Sequence, residues 1–167
     1  MSVNKEYIKE KLSGQFGEGV LSWDETSDML CAIVKSDLNL KVLTYLHDEP
    51  TLAFQFLTDI TGIHFPDNKG SEIGVIYHLH NLKENTRVRI KVFVPIDKPE
   101  VYTATGLFKG ANWMERETYD FFGIQFIGHP NLKRVLNVDE MDYHPLRKEY
   151  PLEDQTRIDK DDEMFGR

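Results

Sequence analysis

The sequence of 167 residues contains only one cysteine, Cys31. One cysteine excludes an internal disulfide. It also excludes an iron–sulfur cluster held by this chain alone, because such a cluster typically takes four thiolates. Cys31 lies inside the apolar run Met29–Val34. We therefore interpret it as a small buried hydrophobic residue and not as a nucleophile.

Long apolar runs and phosphate-binding motifs are also missing. No stretch approaches the roughly 18 consecutive apolar residues of a membrane-spanning helix. The first eleven residues mix acids and lysines, which is typical of neither a signal peptide nor a transit peptide, so we expect a soluble protein. The glycines at 14, 17 and 19 follow a predicted helix and do not form the dinucleotide-binding pattern. The net charge of −8 disfavours nucleic acid as a partner, because a phosphate backbone needs clustered lysines and arginines.

The spacing of apolar residues predicts both helices and antiparallel strands. Alternation at 73–79 and 88–94 predicts a hairpin with a basic outer stripe. Its two histidines, His78 and His80, share a face, but two ligands do not make a metal site, and we interpret them as surface residues. Shorter strands are predicted at Val20–Trp23 and Leu30–Val34. Helical spacing predicts helices at residues 3–12, after Asp37 as N-cap, after Thr51, at Glu100–Phe108 and from Asn112 to Phe122.

These elements predict a single α+β domain, with helices packed on one side of a mostly antiparallel sheet. We assign residues 1–127 to this core and residues 128–167 to an extended C-terminal segment with a charged tail. Prolines punctuate that segment at Pro130, Pro145 and Pro151. Extended, proline-rich chain buries little surface on itself, so it is expected to gain order by lying along a partner. Arg147 is the best candidate there for a bidentate contact to a partner carboxylate.

One predicted helix carries a dense set of charges. Asn112 is its predicted N-cap and Glu115 the acid of a capping box, while Gly123 ends it. At helical spacing, Arg116 and Asp120 fall on one side with Trp113 and Glu117. We interpret this as a salt-linked helix face. Paired acids for general acid–base catalysis would need a pocket and perturbed pKa values.

The residues from 115 to 124 resemble the E-R-E-x-x-D signature of the C-type subunit of respiratory NADH:quinone oxidoreductase, the 30 kDa subunit of complex I. Two further blocks, at 128–134 and 145–151, resemble that family as well. Upstream, residues 54–61 resemble its helix ending in a D-[LI]-T triplet. The resemblance marks these signature and interface positions: Glu115, Arg116, Glu117, Asp120, Gly123, His129, Pro130, Arg134, Pro145, Arg147, Lys148 and Pro151.

The resemblance implies a structural subunit of the peripheral arm, with no catalytic residues and no bound metal or cofactor. NADH, FMN, iron–sulfur clusters and quinone would belong to the rest of the complex. The D-type subunit of complex I, which helps to form the quinone pocket, would be the main partner, with the B-type and I-type subunits nearby. The chain would be a stand-alone bacterial form on the cytoplasmic side of the inner membrane, bound there only through the complex.

Two alternatives remain open from the sequence. The first is the homologous subunit of a related membrane-bound hydrogenase. The second is an independent acid–base enzyme that uses Glu117, Asp120 and His129, which would require these groups to converge in a closed pocket.

Overall fold

The computed structural model describes residues 3–150. Its helices are α1 (Lys5–Phe16), α2 (Asn39–Asp48) and α3 (Ala111–Phe122), with short 3₁₀ turns at Gly17–Gly19 and Ser36–Leu38. Its strands are β1 (Val20–Thr26), β2 (Met29–Val34), β3 (Phe56–His64), β4 (Ile73–Asn81), β5 (Thr86–Val94), β6 (Glu100–Tyr102) and β7 (Gln125–Ile127). None of the helices in this described part is long and apolar enough to cross a membrane.

Five strands form one sheet in the order β1-β2-β5-β4-β3, and β6 pairs with β7 in a second, two-stranded sheet. Within the large sheet every pairing is antiparallel except that of β2 with β5. Alternate residues of the predicted hairpin, such as Tyr77 and Ile90, are fully buried in one core cluster with Leu12 of α1 and Leu43 of α2. The predicted α+β class, with helices on a mostly antiparallel sheet, is therefore confirmed.

The helix predicted after Thr51 is wrong, because residues 56–64 form the strand β3. The family-like stretch at 54–61, expected as a helix, falls on the same strand. A β-bulge lies between Leu57 and Asp59, and it shifts the alternation of the strand by one residue. Leu57 and Ile60 therefore both face the core, and their spacing imitates a helical stripe.

The helix predicted at Glu100–Phe108 is also wrong. Only three residues there are regular, and they form β6. Val101, Ala104 and Phe108 are buried at helix-like spacing, but only a single turn, at residues 105–107, lies between them. The partner of β6 is β7, where Val101 lies opposite Phe126. Such a distant pairing leaves no local pattern in the sequence.

The helix expected from Asp37 is present but starts later. A 3₁₀ turn occupies Ser36–Leu38, and α2 begins at Asn39 without a side-chain cap. Asn39 is fully buried and donates instead to the carbonyl oxygen of Tyr102 at 2.7 Å. The predicted cap, Asp37, lies within the 3₁₀ turn, and the N-cap position is taken by Leu38.

Helix α3 packs against β3 at the edge of the large sheet. The Thr118 hydroxyl donates to the carbonyl oxygen of Ile60 at 3.3 Å. Gly62 faces the ring of Phe122 so closely that a Cβ atom at this position would lie 2.3 Å from a ring carbon. Glycine at 62 therefore sets the distance between α3 and the sheet.

We expect Gly62→Ala to lower the free energy of unfolding by about 1–3 kcal/mol, because the added methyl overlaps the Phe122 ring and forces α3 away from β3. Gly14→Ala is the matched control, since nothing lies within 4 Å of a Cβ there. It lies within α1 and should stabilise the fold by up to about 1 kcal/mol. Urea unfolding of both variants measures the difference, and equal stabilities would contradict the packing argument.

Candidate functional site

The signature helix begins differently from the prediction. Helix α3 starts at Ala111, its N-cap is Gly110, and no side chain caps it. The expected capping box is therefore wrong. Its other end agrees with the sequence: Gly123 takes a left-handed conformation with φ of 77° and donates to the carbonyl oxygen of Tyr119.

Glu115 is fully buried on the inner side of α3 and faces the connection that follows β6. The Thr103 hydroxyl donates to its Oε2 at 2.5 Å, and the Ala104 N–H donates to its Oε1 at 2.6 Å. Burial raises the pKa of the Glu115 carboxyl to about 7, against the opposing effect of these two hydrogen bonds. Burial, assisted by the charge of Glu115, also raises the pKa of the Tyr77 phenol in β4.

Asp120 is the centre of the site, and its side chain is completely buried. Its Oδ2 accepts hydrogen bonds from the backbone N–H groups of Val135, Leu136 and Asn137 at 2.8–3.0 Å. Its Oδ1 accepts from the Asn137 amide at 3.0 Å and from Arg134 Nη1 at 2.7 Å. One carboxylate therefore holds four consecutive residues of the C-terminal segment, residues 128–150, against α3.

The environment of Asp120 favours its ionised form. Burial alone would raise the pKa of this carboxyl. The three backbone N–H groups and the Arg134 guanidinium outweigh that effect, and the pKa is held well below its usual range. Arg134 is itself almost buried, and its Nη2 donates to the carbonyl oxygens of Met141 and Tyr143 at 2.7 and 2.8 Å.

The C-terminal segment continues along the end of α3. His144 Nδ1 lies 2.9 Å from the carbonyl oxygen of Asp120, and Arg147 Nε donates to that of Phe122 at 2.8 Å. Burial and the neighbouring arginines lower the pKa of His144, against the opposing effect of the hydrogen bond to Asp120. The expectation that a partner orders the segment stays a prediction. Up to residue 150 the segment also lies along its own domain, through hydrogen bonds to α3 and to His64 of β3.

Gly123 makes this arrangement possible. A Cβ at this position would lie 2.5–2.6 Å from ring atoms of His144 and from Arg147 Nη2. Farther along, the Lys148 N–H donates to Nδ1 of the buried His64 at the end of β3. The partner carboxylate expected for Arg147 stays a prediction. Within the described chain, its Nη1 lies 3.9 Å from Glu149.

The predicted salt-linked face of α3 is wrong in its pairing. Asp120 turns inward to Arg134, and Glu117 is exposed. Arg116 Nε and Nη2 donate to the carbonyl oxygens of Lys133 and Arg134, both at 3.2 Å. Arg116 therefore binds backbone of the C-terminal segment and does not pair with the acids of its own helix.

The three candidate groups for acid–base chemistry do not converge. His129 Nε2 lies 3.1 Å from the carbonyl oxygen of Asn112 in the first turn of α3. Asp120 is eight positions farther along, which is about 12 Å at 1.5 Å per residue. Glu117 is exposed, whereas Asp120 is buried. The geometry thus gives the acid–base hypothesis no pocket.

The remaining predicted positions are spread over the segment. Pro130 is exposed and Pro145 is half-buried. Pro151 lies outside the described residues.

The prediction that both strand histidines are surface residues is wrong for His80, which is buried and bonds to Asn85. His78 accepts from Arg89 Nε at 3.0 Å. Among residues 3–150 no three His, Cys, Asp or Glu side chains form a metal-binding group.

Several residues of the site gave no signal in the sequence. Asn137 and His144 bind Asp120, Thr103 binds Glu115, and His64 receives the chain at Lys148. All of these are contacts between residues distant in sequence. Only the neighbourhood of His144, between an aromatic residue and a proline, stood out as unusual.

We expect Asp120→Asn to lower the free energy of unfolding by about 3–5 kcal/mol, because it leaves a buried arginine unpaired and puts an amide N–H₂ where three backbone N–H groups converge. Glu117→Gln on the same helix is exposed and should stay within about 0.5 kcal/mol of the parent. Urea denaturation at neutral pH measures both.

The same variant should change how the free energy of unfolding falls at acid pH. Because the folded pKa of Asp120 lies below its unfolded value of 3.8, its contribution is complete above that pH and is lost as the pH falls toward the folded value. In Asp120→Asn this loss of stability between pH 3.8 and lower pH should be absent. If the free energy of unfolding depends on acid pH in the same way in parent and variant, the lowered pKa of Asp120 is contradicted.

Glu115 should give the opposite pH dependence. Its folded pKa of about 7 exceeds its unfolded value of 4.5, so its contribution is complete below pH 4.5 and is lost as the pH rises toward 7. Relative to Glu115→Gln, which stays neutral, the parent should lose up to roughly 3 kcal/mol over that range. Unfolding curves measured from pH 5 to 8 test this, and parallel profiles would refute it.

Comparison with known proteins shows the family of this chain. The family model for the respiratory-chain NADH dehydrogenase 30 kDa subunit matches residues 32–156. The C-type subunit of NADH-quinone oxidoreductase from Methylorubrum extorquens (strain PA1) is 41% identical over 92% of this chain and 70% of its own length. That of Mycolicibacterium gilvum (strain PYR-GCK) is 42% identical over 75% of this chain and 55% of its own length.

Solved structures show the same fold. A trypsin-resistant fragment of Nqo5 superposes with a TM-score of 0.62 at 28% identity, over 75% of this chain and 99% of the fragment. A chain of a membrane-bound sulfane sulfur reductase, an archaeal respiratory membrane complex, gives 0.67 at 24% identity over 86% of each chain, which is a likeness of fold alone. From the family match and these relatives together, this chain belongs to the 30 kDa subunit family of respiratory-chain NADH dehydrogenase, which includes the C-type subunits of NADH-quinone oxidoreductase.

Proposed function

We propose that this chain is a non-catalytic structural subunit in the peripheral arm of the proton-translocating NADH:quinone oxidoreductase. In this role it supports the D-type subunit, which helps to form the quinone site, while electrons pass from NADH to quinone. The observation that carries the proposal is the attachment of the C-terminal segment to α3 through Asp120. The buried Asp120 carboxylate fixes the backbone of the C-terminal segment and thereby positions the exposed side chains of that segment.

The C-terminal segment is suited to contact another protein. Residues 128–150 contain neither helix nor strand, yet buried hydrogen bonds fix their backbone. The segment presents several large apolar side chains to solvent, namely Leu136, Val138, Tyr143, Leu146 and Tyr150. Aromatic and apolar side chains on a preordered backbone bind a partner at a low entropic cost. We therefore assign the contact with the D-type subunit to this segment, with the B-type and I-type subunits nearby.

The two buried acids of the signature support a role without catalysis. Asp120 and Glu115 are buried, and their oxygen atoms accept hydrogen bonds from their own chain. A general acid or base needs a position within reach of a substrate proton. On this interpretation NADH, FMN, the iron–sulfur clusters and quinone bind other subunits. The chain then reaches the cytoplasmic side of the bacterial inner membrane only through the complex.

The homologous subunit of a related membrane-bound hydrogenase is the second candidate. The likeness to the archaeal respiratory complex shows that this fold occurs outside NADH dehydrogenase. Identity of 41% to a C-type subunit over nearly the whole chain favours the first candidate.

Affinity-tagged chain purified from gently solubilised membranes should bring down a quinone-reducing assembly. Leu146→Asp should reduce this recovery strongly, because it puts a charge on an exposed apolar residue of the C-terminal segment while its backbone bond to Phe121 remains. Leu21→Asp, on the exposed strand β1 at the opposite edge of the sheet from β3, is the control and should assemble normally.

Arg147→Ala separates docking from folding at the same surface. If Arg147 also binds a partner carboxylate, the variant should assemble poorly while its thermal midpoint falls little. A loss of stability equal to the loss of assembly would make Arg147 a fold residue through its bond to Phe122. Recovery of the parent chain as a free monomer would refute the proposed function.

A further inference from the structure

The first turn of α3 presents an aromatic side chain to solvent beside an arginine. Trp113 is 62% exposed, and the Arg116 guanidinium lies 4.7 Å from the centre of its ring. Arg116 Nε and Nη2 are bound to the carbonyl oxygens of Lys133 and Arg134. Arg116 Nη1 donates to no group of residues 3–150 in the structure. The guanidinium is therefore fixed over the indole with a donor nitrogen uncommitted.

This pair has the chemistry of a binding anchor. Tryptophan and arginine are the residues most enriched among those that dominate the energy of protein interfaces. A tryptophan with more than half of its surface in water contributes little to the fold, whereas stacking and two backbone bonds already hold the arginine. Such preorganisation lowers the entropic cost of binding.

The surroundings specify a partner. Leu136 is 65% exposed, and it lies two residues after the Arg134 carbonyl that Arg116 holds. Lys133 is exposed beside the other carbonyl. The exposed acid of the same helix, Glu117, instead lines a groove with Asp59 and Leu146 at the edge of β3. The indole and two cations, Arg116 and Lys133, therefore lie on α3 and on the piece of chain that Arg116 binds, with Leu136 just after it, in a chain whose net charge is −8.

We propose that Trp113, Arg116, Lys133 and Leu136 form an anchor for another subunit of the same complex. An apolar side chain of that subunit packs on the indole and on Leu136, and a carboxylate next to it accepts hydrogen bonds from Arg116 and pairs with Lys133. The anchor rests on the proposed function. It adds to the contacts of Tyr143, Leu146 and Tyr150 on the rest of the C-terminal segment.

The test uses the tagged chain expressed with the other subunits, and it measures how much of the assembly is recovered per chain at low and at moderate salt. Trp113→Ala should reduce recovery by about tenfold or more, as expected for a residue that dominates an interface. Lys133→Glu should reduce recovery more than Lys133→Ala, since it opposes the partner carboxylate. It should also weaken the salt dependence.

Matched controls lie at the opposite edge of the sheet. Leu21→Ala removes an equally exposed apolar side chain, and Lys35→Glu makes the same charge reversal. Both should assemble as the parent does. Circular dichroism should show the same thermal midpoint for all exposed-site variants within a few degrees, because about 1 kcal/mol shifts the midpoint of a domain this size by only a few degrees.

A photoreactive benzoylphenylalanine at position 113 then identifies the contact. A cross-link to another subunit of the complex supports the anchor, whereas a cross-link only to lipid or to a second copy of this chain overturns it. Assembly of Trp113→Ala and Lys133→Glu at the level of their controls also overturns it. That result does not contradict the proposed function. The proposed function is contradicted only if the parent chain itself recovers no quinone-reducing assembly.

Discussion

The buried ion pair of Asp120 and Arg134 is the interaction on which the surface of this protein depends. Isolated, either charge would be expensive to bury, because desolvation of a single ion costs several kcal/mol. Together they are compensated fully: the carboxylate receives three backbone N–H groups and the guanidinium holds three backbone carbonyls. The pair thereby satisfies backbone N–H and C=O groups of an irregular segment, which in a strand would be satisfied by neighbouring strands.

The two buried acids of the signature helix bind different parts of the chain. Glu115 points into the core and joins α3 to the connection after β6, whereas Asp120 joins α3 to the C-terminal segment. Both look alike in the sequence, as carboxylates on one helix. Their environments push their pKa values in opposite directions, because Glu115 accepts only two hydrogen bonds against full burial and Asp120 accepts many, one of them from a cation.

The sequence predicted some local features correctly, although both predicted helix caps, at Asp37 and Asn112, are wrong. The β4–β5 hairpin alternates without interruption, and the end of α3 at Gly123 follows from the need for a left-handed residue. It misled where a tertiary feature altered the pattern, as at the bulge after Leu57. The sequence indicated both residues of the buried ion pair, because Asp120 and Arg134 are among the positions that resemble the family. Their pairing, and the part of Asn137 in it, required the path of the chain between them.

The parallel pairing of β2 with β5 also bears on how this protein folds. Leu30 lies beside Val88, so a loop of more than fifty residues must close before the sheet is continuous. The β1–β2 and β4–β5 hairpins need no such closure. Since nonlocal closure is slow in sheet formation, we expect β2 and β5 to pair after the two hairpins have formed. Helix α3 packs on β3 at the far edge of the sheet. The ion pair at Asp120 can form only once α3 and the chain beyond it are both made. In the order of synthesis, the C-terminal segment that Asp120 binds follows every strand of the large sheet.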